Sequence, residues 1–535
     1  MPAMPQWFEE FLPILILLVV VTLLINRLPK IDLGHSVGFR KRRVLNWLPL
    51  GLTYAFLYMG RYNLTVSKSV LGSMPLPGGG GALMGNHDFG LIFGLGTIVY
   101  GFAFVINGPL TDRIGGRKAI LIGAAGAAVA NALMGLVSYF VLQGHGERFD
   151  QIAPNLTAIF SVLYAANMYF QSFGAVAIVK VNASWFHVRE RGVFGGIFGI
   201  LISLGIYFAF DWGALIVNAG HPEGGSAFDY PGLVWVFVAP AILLAIFWVL
   251  DVLFVRDTPG EAGQEDFDTA DASSGDEGER LSAAQIFGLM LRNPIIMTIA
   301  AIEFCSGFLR QAIMQWYKIF AKQTDAALGL RKDPDNVTFA NFVDAHWGML
   351  LCVAGVTGGV IAGIISDRVF HSRRGPVAAL LYGVMLVGGV VLCLVYQTSV
   401  VGWLVVVMSM AVIGVHGMLS GTASMDFGGR RNVGTAVGII DGFVYLGTAA
   451  MSFTYAMILP KEEFEPLLDP ATGQQMIDAI TGEPKKVLVG PVTDPDNWIN
   501  WPLAMIPVAA VGLFFAWKIW HAQTDAMKQR QAEGA

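Results

Sequence analysis

Roughly thirteen stretches of this 535-residue chain stay apolar over about 18 to 25 residues, the length a helix needs to cross a hydrocarbon layer about 30 Å thick. Lipid offers no partner for backbone N–H and C=O groups, so each stretch must satisfy its own hydrogen bonds as a helix. The chain therefore reads as an all-α, polytopic membrane protein. The stretches fall near 8–26, 45–71, 89–111, 119–142, 156–186, 192–217, 231–255, 284–317, 341–366, 376–397, 400–425, 433–459 and 498–520. With 55% hydrophobic and 14% charged residues, the composition excludes a soluble globule and a soluble enzyme. No metal-ligand spacing and no nucleophile with a base nearby is evident, so neither catalysis nor a cofactor is expected. The glycines of "GGGGALMG" (78–85) do not follow a strand, which argues against a nucleotide cradle. A net charge of −5, with its basic residues dispersed through short loops, argues against a nucleic-acid partner.

The first segment, "FLPILILLVVVTLLIN", is preceded by Glu9 and Glu10, followed by basic residues, and has no small-residue cleavage site. It reads as an extra anchoring helix before a core of twelve. Cys305, Cys352 and Cys393 all fall within apolar segments, which argues against a disulfide framework. Alternate connections beginning with 27–44 hold 22 of the 34 Lys and Arg, and the opposite set holds 8. The basic set is expected to be cytoplasmic, with the C-terminus on that side and the N-terminus outside if the first helix is retained. Arg61, Lys68, Lys180 and Arg310 are the four left inside helices.

The core repeats. "GPLTDRIGGRK" (108–118) follows the second core segment and "GIISDRVFHSRRG" (363–375) the eighth; each has a Gly and, four residues on, an Asp-Arg pair. "RERGVFGGIFG" (189–199) and "RRNVGTAVGII" (430–440) open the fifth and eleventh. Two six-helix halves related by an axis along the membrane normal follow from this, with Arg61 and Arg310 at equivalent places on core helices one and seven. About sixteen residues of 1.5 Å rise separate each arginine from the cytoplasmic start of its helix, which puts both near the bilayer midplane, about 24 Å in. An arginine there costs from about 3 to more than 10 kcal/mol unless it meets an anion or water. Permanent pairing with an acid of its own half is the plain alternative, but no Asp or Glu lies within one helical turn of either. A transported anion is the better account, since the planar guanidinium makes paired hydrogen bonds to phosphate or carboxylate and keeps its charge.

These features resemble the major facilitator superfamily and, more narrowly, its organophosphate:phosphate antiporter family of glycerol-3-phosphate and hexose-phosphate transporters. The narrower resemblance rests on the Arg-bearing first core helix, "RDTPGEAG" (256–263), "LRQAIMQWYKIF" (309–320), "SDRVFHSRRGP" (366–376) and "RRNVGTAVGIIDGFVYLGTA" (430–449), and spans about residues 45–520. It implies a major facilitator fold in which Arg61 and Arg310 hold phosphate while Tyr54, Tyr58, Tyr100 and Tyr445 line the path. It also implies that Asp112, Arg113, Asp367 and Arg368 act as gating loops. Tyr54, Tyr58 and Arg61 share one helical face. The chain departs from glycerol-3-phosphate transporters in the pocket: where those carry two lysines, a histidine, an aspartate and a glutamate, it has Tyr62, Phe104, Ser184, Gln315 and Cys352. Lysines and acids have vanished together, as expected of ion pairs lost as units. The identity of the organic group is therefore open.

New acids stand elsewhere: Asp211, Glu303 and Asp441. Glu303 lies seven residues before Arg310 on the same face, and Asp441 four before Tyr445. Each is either a coupling or proton site, or a hydrogen-bonded helix contact. Lys180, near a helix end, is expected to snorkel to the interface.

The expected organisation is an N-terminal anchor and basic link (1–43), a first half (44–255), an acidic linker (256–283), a second half (284–520) with an outer loop at 460–497, and a tail (521–535). The leading expectation is a monomeric transporter in a bacterial inner membrane, exchanging a small phosphate ester for inorganic phosphate by alternating access. Alternatives are a proton-coupled symporter or exporter of an organic anion, and a phosphate-ester sensor built on a transporter fold.

Overall fold

The computed structural model describes residues 35–76, 80–187, 191–221, 226–269, 283–331, 338–370, 373–470, 472–478 and 480–520. The expected anchor at 8–26, most of the acidic linker and the tail lie outside the described residues. The first half comprises α1 (Val37–Leu71), α2 (Asn86–Ile114), α3 (Gly116–Val141), α4 (Leu156–Trp185), α5 (Arg191–Tyr207) and α6 (Gly232–Phe254). The second comprises α7 (Pro294–Met314), its continuation α8 (Trp316–Gln323), α9 (Trp347–Ile364), α10 (Arg374–Val395), α11 (Val401–Ile458) and α12 (Met505–Lys518). Among the described residues, ten helices are long and apolar enough to cross a membrane.

Helix ends follow local chemistry. Ser36 caps α1 by accepting the Phe39 amide at 3.0 Å, so the helix begins at Val37 and the basic run 40–43 forms its first turns. Asn293 caps α7 through the Ile295 amide at 2.9 Å, with Pro294 at the first helical position, where its missing N–H costs nothing.

One expectation needs correction. Residues 400–425 and 433–459 do not form two helices with a loop at 428–432; helical geometry runs through all 58 residues of α11. An unbent helix of that length would span about 87 Å. Yet Gly402 near one end packs on Tyr317 of α8, and Tyr455 near the other lies 5.6 Å from the neighbouring Trp316 ring. Its two ends therefore lie at one end of the bundle, and a first arm (401–419) and a second arm (435–458) take the places of the expected tenth and eleventh helices. The outer loop carries a short hairpin, β1 (Glu463–Pro466) pairing antiparallel with β2 (Lys486–Val489), the one sheet among the described residues.

The packing is that of a membrane protein. Asn46, Arg61, Asn63, Asn131, Asn167 and Gln171 are buried, whereas Phe102, Ile106, Val162, Val387, Leu394 and Phe514 are exposed on the outer surface, as suits contact with lipid. The halves meet along two crossings, α2 on the second arm of α11 and α5 on α9. At the first crossing, a Cβ on Gly101 would stand 3.0 Å from the Gly442 carbonyl oxygen, and one on Gly442 3.1 Å from that of Gly101, so a side chain at either would push the two backbones apart by a few tenths of an ångström.

The two ends of the bundle are tied differently. At the end carrying the β-hairpin, Lys68 pairs with Glu462 at 2.8 Å, and Glu462 also accepts from the Asn86 amide at 2.8 Å and Gln323 at 2.6 Å. Thr65 with Gln315, and Lys322 with the Ser69 carbonyl, add further bonds between halves there. At the opposite end Asp112 binds Lys180 at 2.8 Å and accepts the Thr435 amide of the second half at 3.3 Å.

Candidate functional site

Arg61 lies in the C-terminal third of α1, ten residues before its end at Leu71, and is fully buried. Its Nε donates to Gln171 Oε1 at 3.0 Å, Nη1 to the Tyr445 hydroxyl at 2.7 Å and Nη2 to the Tyr100 hydroxyl at 2.5 Å. The rings of Tyr58 and Tyr100 stand 4.4 and 4.5 Å from the guanidinium carbon. The arginine is thus not the bare cation the sequence led one to expect. It is held by neutral groups, because phenols and an amide can accept its protons without cancelling its charge.

A chain of buried amides supports that geometry. Gln171 donates to Asn167, Asn167 to the Gly60 carbonyl, and Asn131 to Asn167, at 2.9–3.1 Å. Asn167 and Gln171 lie one turn apart on α4, so the same face meets α1 twice. Sequence reasoning passed over these residues, although two amides at helical spacing in an apolar stretch were the available signal.

Arg310, from the second half, is 6% exposed, and its Nε and Nη2 have no hydrogen-bond partner among the described residues. No carboxylate lies within ion-pair distance of Arg61 or Arg310 among the described residues. Tyr58, Tyr62 and Tyr445 fall within electrostatic range of both guanidinium groups, so the two arginines belong to one cluster at the junction of the halves. Tyr54 packs edge-on against Tyr58 at 5.2 Å and is buried.

The positions that lack the expected charges are filled by uncharged partners. Gln311 donates to the Tyr62 hydroxyl and Gln315 to Gln311, each at 2.8 Å, while Phe104 stacks on Tyr445 with centroids 5.7 Å apart. The cluster is aromatic and amide-lined around two cations.

The remaining expected residues divide. Glu303 is fully buried and meets His416 Nδ1 at 2.8 Å through Oε2; Oε1 has no partner among the described residues. His416 was not foreseen; a lone histidine in an apolar segment was its signal. Asp441 is half-buried, one turn before Tyr445 and in its electrostatic range. Asp211 accepts the Gly348 and Met349 amides at 2.7 and 2.9 Å, so it caps the start of α9 from the other half. A five-residue π turn, Phe208–Trp212, brings it there. Lys180 reaches Asp112 near the end of α2 and pairs with it at 2.8 Å, with 21% of its side chain exposed. Arg113 and Arg368 are exposed, and the Asp367 side chain lies outside the described residues.

Comparisons with known proteins bear on this arrangement. A glycerol-3-phosphate transporter of Bacillus subtilis is 25% identical over 445 residues, covering 79% of this chain and 87% of that protein. The membrane sensor protein UhpC of Salmonella typhimurium is 25% identical over 452 residues, covering 81% and 89%. A probable hexose phosphate transport protein of Chlamydia pneumoniae is 24% identical over 442 residues, covering 79% and 80%. Among solved structures, an inward-facing, unoccupied bacterial homolog of the human lysosomal transporter Spinster superposes with a TM-score of 0.60 at 12% identity, covering 90% of this chain and 97% of that one. The family described as Major Facilitator Superfamily matches residues 48–452, three quarters of the sequence. With that match, and a fold of two six-helix halves meeting at two buried arginines, the chain belongs to the Major Facilitator Superfamily.

Proposed function

We propose that this protein exchanges a small phosphate ester for inorganic phosphate across a membrane, the phosphoryl group being held between Arg61 and Arg310. The observation that carries the reading is the pair of buried guanidinium groups, one from each half, with no carboxylate in ion-pair range among the described residues and with two Arg310 donors unfilled. A buried cation of this kind is costly, and a dianion with several acceptor oxygens offsets the cost for both at once. Relatives at 24–25% identity, a glycerol-3-phosphate transporter and a probable hexose phosphate transport protein, support the same substrate class.

Phosphate drawing on both halves would favour the states in which they approach, and so lower the barrier to reorientation. With the basic loops read as cytoplasmic, the Lys68–Glu462 end would face outside and the Asp112–Thr435 contact would act as a cytoplasmic brace. The expected test is counterflow of labelled phosphate in proteoliposomes: Arg61→Ala and Arg310→Ala each abolish it. Retention of exchange in both variants refutes the reading. The similarity to a protein named as a membrane sensor favours one second reading, a phosphate-ester receptor, for which binding occurs without flux.

A further inference from the structure

We propose that Glu303 and His416 form a proton-binding site whose occupancy is linked to anion binding at Arg310, so that the loaded carrier crosses with a proton on this pair. The inference deepens the phosphate reading and rests on it. The pair joins α7 to the first arm of α11 inside the second half, with Nδ1 and Oε2 2.8 Å apart. Glu303 is fully buried, while 18% of the His416 side chain is exposed, so the imidazole is the member of the pair that reaches beyond the interior.

Both groups can carry a proton, and the pair has bonding capacity to spare. Glu303 Oε1 and, one turn on, Ser306 Oγ have no partner among the described residues. A structural ion pair of maximal stability would have satisfied these atoms. The charged or titratable side chains facing Glu303 include His416, Arg310, Cys305 and Tyr382, from α7, α10 and α11.

Glu303 and Arg310 lie seven residues apart on one helix, about 10 Å along its axis, and interact electrostatically. An anion arriving at Arg310 adds negative charge beside Glu303 and so favours the protonated pair. By reciprocity, a proton on the pair favours the anion by the same factor. The step needs no other reactant: the proton enters through His416 from one side with phosphate and leaves to the other side when phosphate dissociates.

The test is exchange of external labelled inorganic phosphate for internal phosphate in proteoliposomes, with the outside held at pH 5.5 to 8. The protonation of phosphate itself affects every variant alike, so only the difference between variants is read. The native protein is expected to lose apparent phosphate affinity by about 5-fold or more between the acid and alkaline limits beyond what Glu303→Gln or His416→Gln loses. Both variants keep exchange, with a flatter profile. If either fails to fold, the other decides. Identical profiles in the native protein and the folded variants overturn the proton site while leaving the phosphate reading intact. Absence of exchange in the native protein overturns the phosphate reading, and this inference with it.

Discussion

Tyr445 of the second half accepts a 2.7 Å hydrogen bond from Nη1 of Arg61 in the first, placing a neutral phenol where the two halves meet the buried cation. Removing that hydroxyl in Tyr445→Phe leaves a guanidinium donor without its partner, a loss of about 1.5–3 kcal/mol for a bond to a charged group. Thermal melts are expected to show a lowered Tm without phosphate. Saturating inorganic phosphate is expected to restore part of the difference, because its oxygens supply the missing acceptor. An equal phosphate increment in the native and variant proteins would show that the ligand does not reach Arg61.

The Lys68–Glu462 pair makes a different prediction, because both side chains are only 2% exposed and belong to different halves. Lys68→Met strands a buried carboxylate, which costs about 3–5 kcal/mol where no compensation exists. The cost falls on the state closed at this end, since opening hydrates Glu462. Amide hydrogen exchange at residues 64–71 and 316–323 is expected to accelerate in Lys68→Met, and to return toward native rates in the double reversal Lys68→Glu with Glu462→Lys. Unchanged exchange in the single variant would mean that the pair does not hold the halves together.

Asp211 ties the halves at the α5–α9 crossing by a different device, accepting two backbone amides at the start of α9. Asp211→Ala leaves both donors without that acceptor, and a lost helix cap costs about 0.5–2 kcal/mol. Asp211→Asn retains one acceptor oxygen, so Tm is expected to fall in the order native, Asn, Ala. Equal melting of the Asn and Ala variants would show that the amides find other partners.

Much of this was legible in the sequence, for identifiable reasons. Apolar segment length dictates spanning helices, and the repeated Asp-Arg loops reveal the duplication that makes Arg61 and Arg310 counterparts. The helical offset of Tyr58 from Arg61 placed them in contact. What escaped depends on partners distant in sequence. Gln171 is 110 residues from the arginine it binds and His416 113 from Glu303. Nothing local distinguishes a buried amide or histidine that meets a charge from one that meets a carbonyl. The continuity of α11 escaped for another reason: basic and glycine residues at 428–432 read as a loop, whereas the backbone stays helical through them.

The "RDTPGEAG" stretch yields a prediction about pH. Gly115, at φ +90°, ends α2 in a conformation suited to glycine, and the chain turns at once into α3. There the Arg117 amide donates to Asp257 Oδ1 at 2.8 Å, so the linker motif caps a helix in the first half. Asp257 lies outside the spanning segments, and desolvation by its surroundings holds its carboxyl above the ordinary range, against the pull of that amide. An acid raised in the folded state binds its proton more tightly folded than unfolded. Its contribution to stability is therefore greatest in acid and declines as pH rises through the ordinary carboxylate pKa of about 4 toward the folded value. Asp257→Asn keeps an acceptor for Arg117 without a charge to desolvate. It is expected to melt close to the native protein near pH 3.5 and to gain on it as pH rises to 6, whereas Asp257→Ala, with no acceptor, melts lower throughout. Melting curves of the three proteins across that range check both statements, and a native protein that gains on Asp257→Asn with rising pH would reverse the sign assigned to this carboxyl.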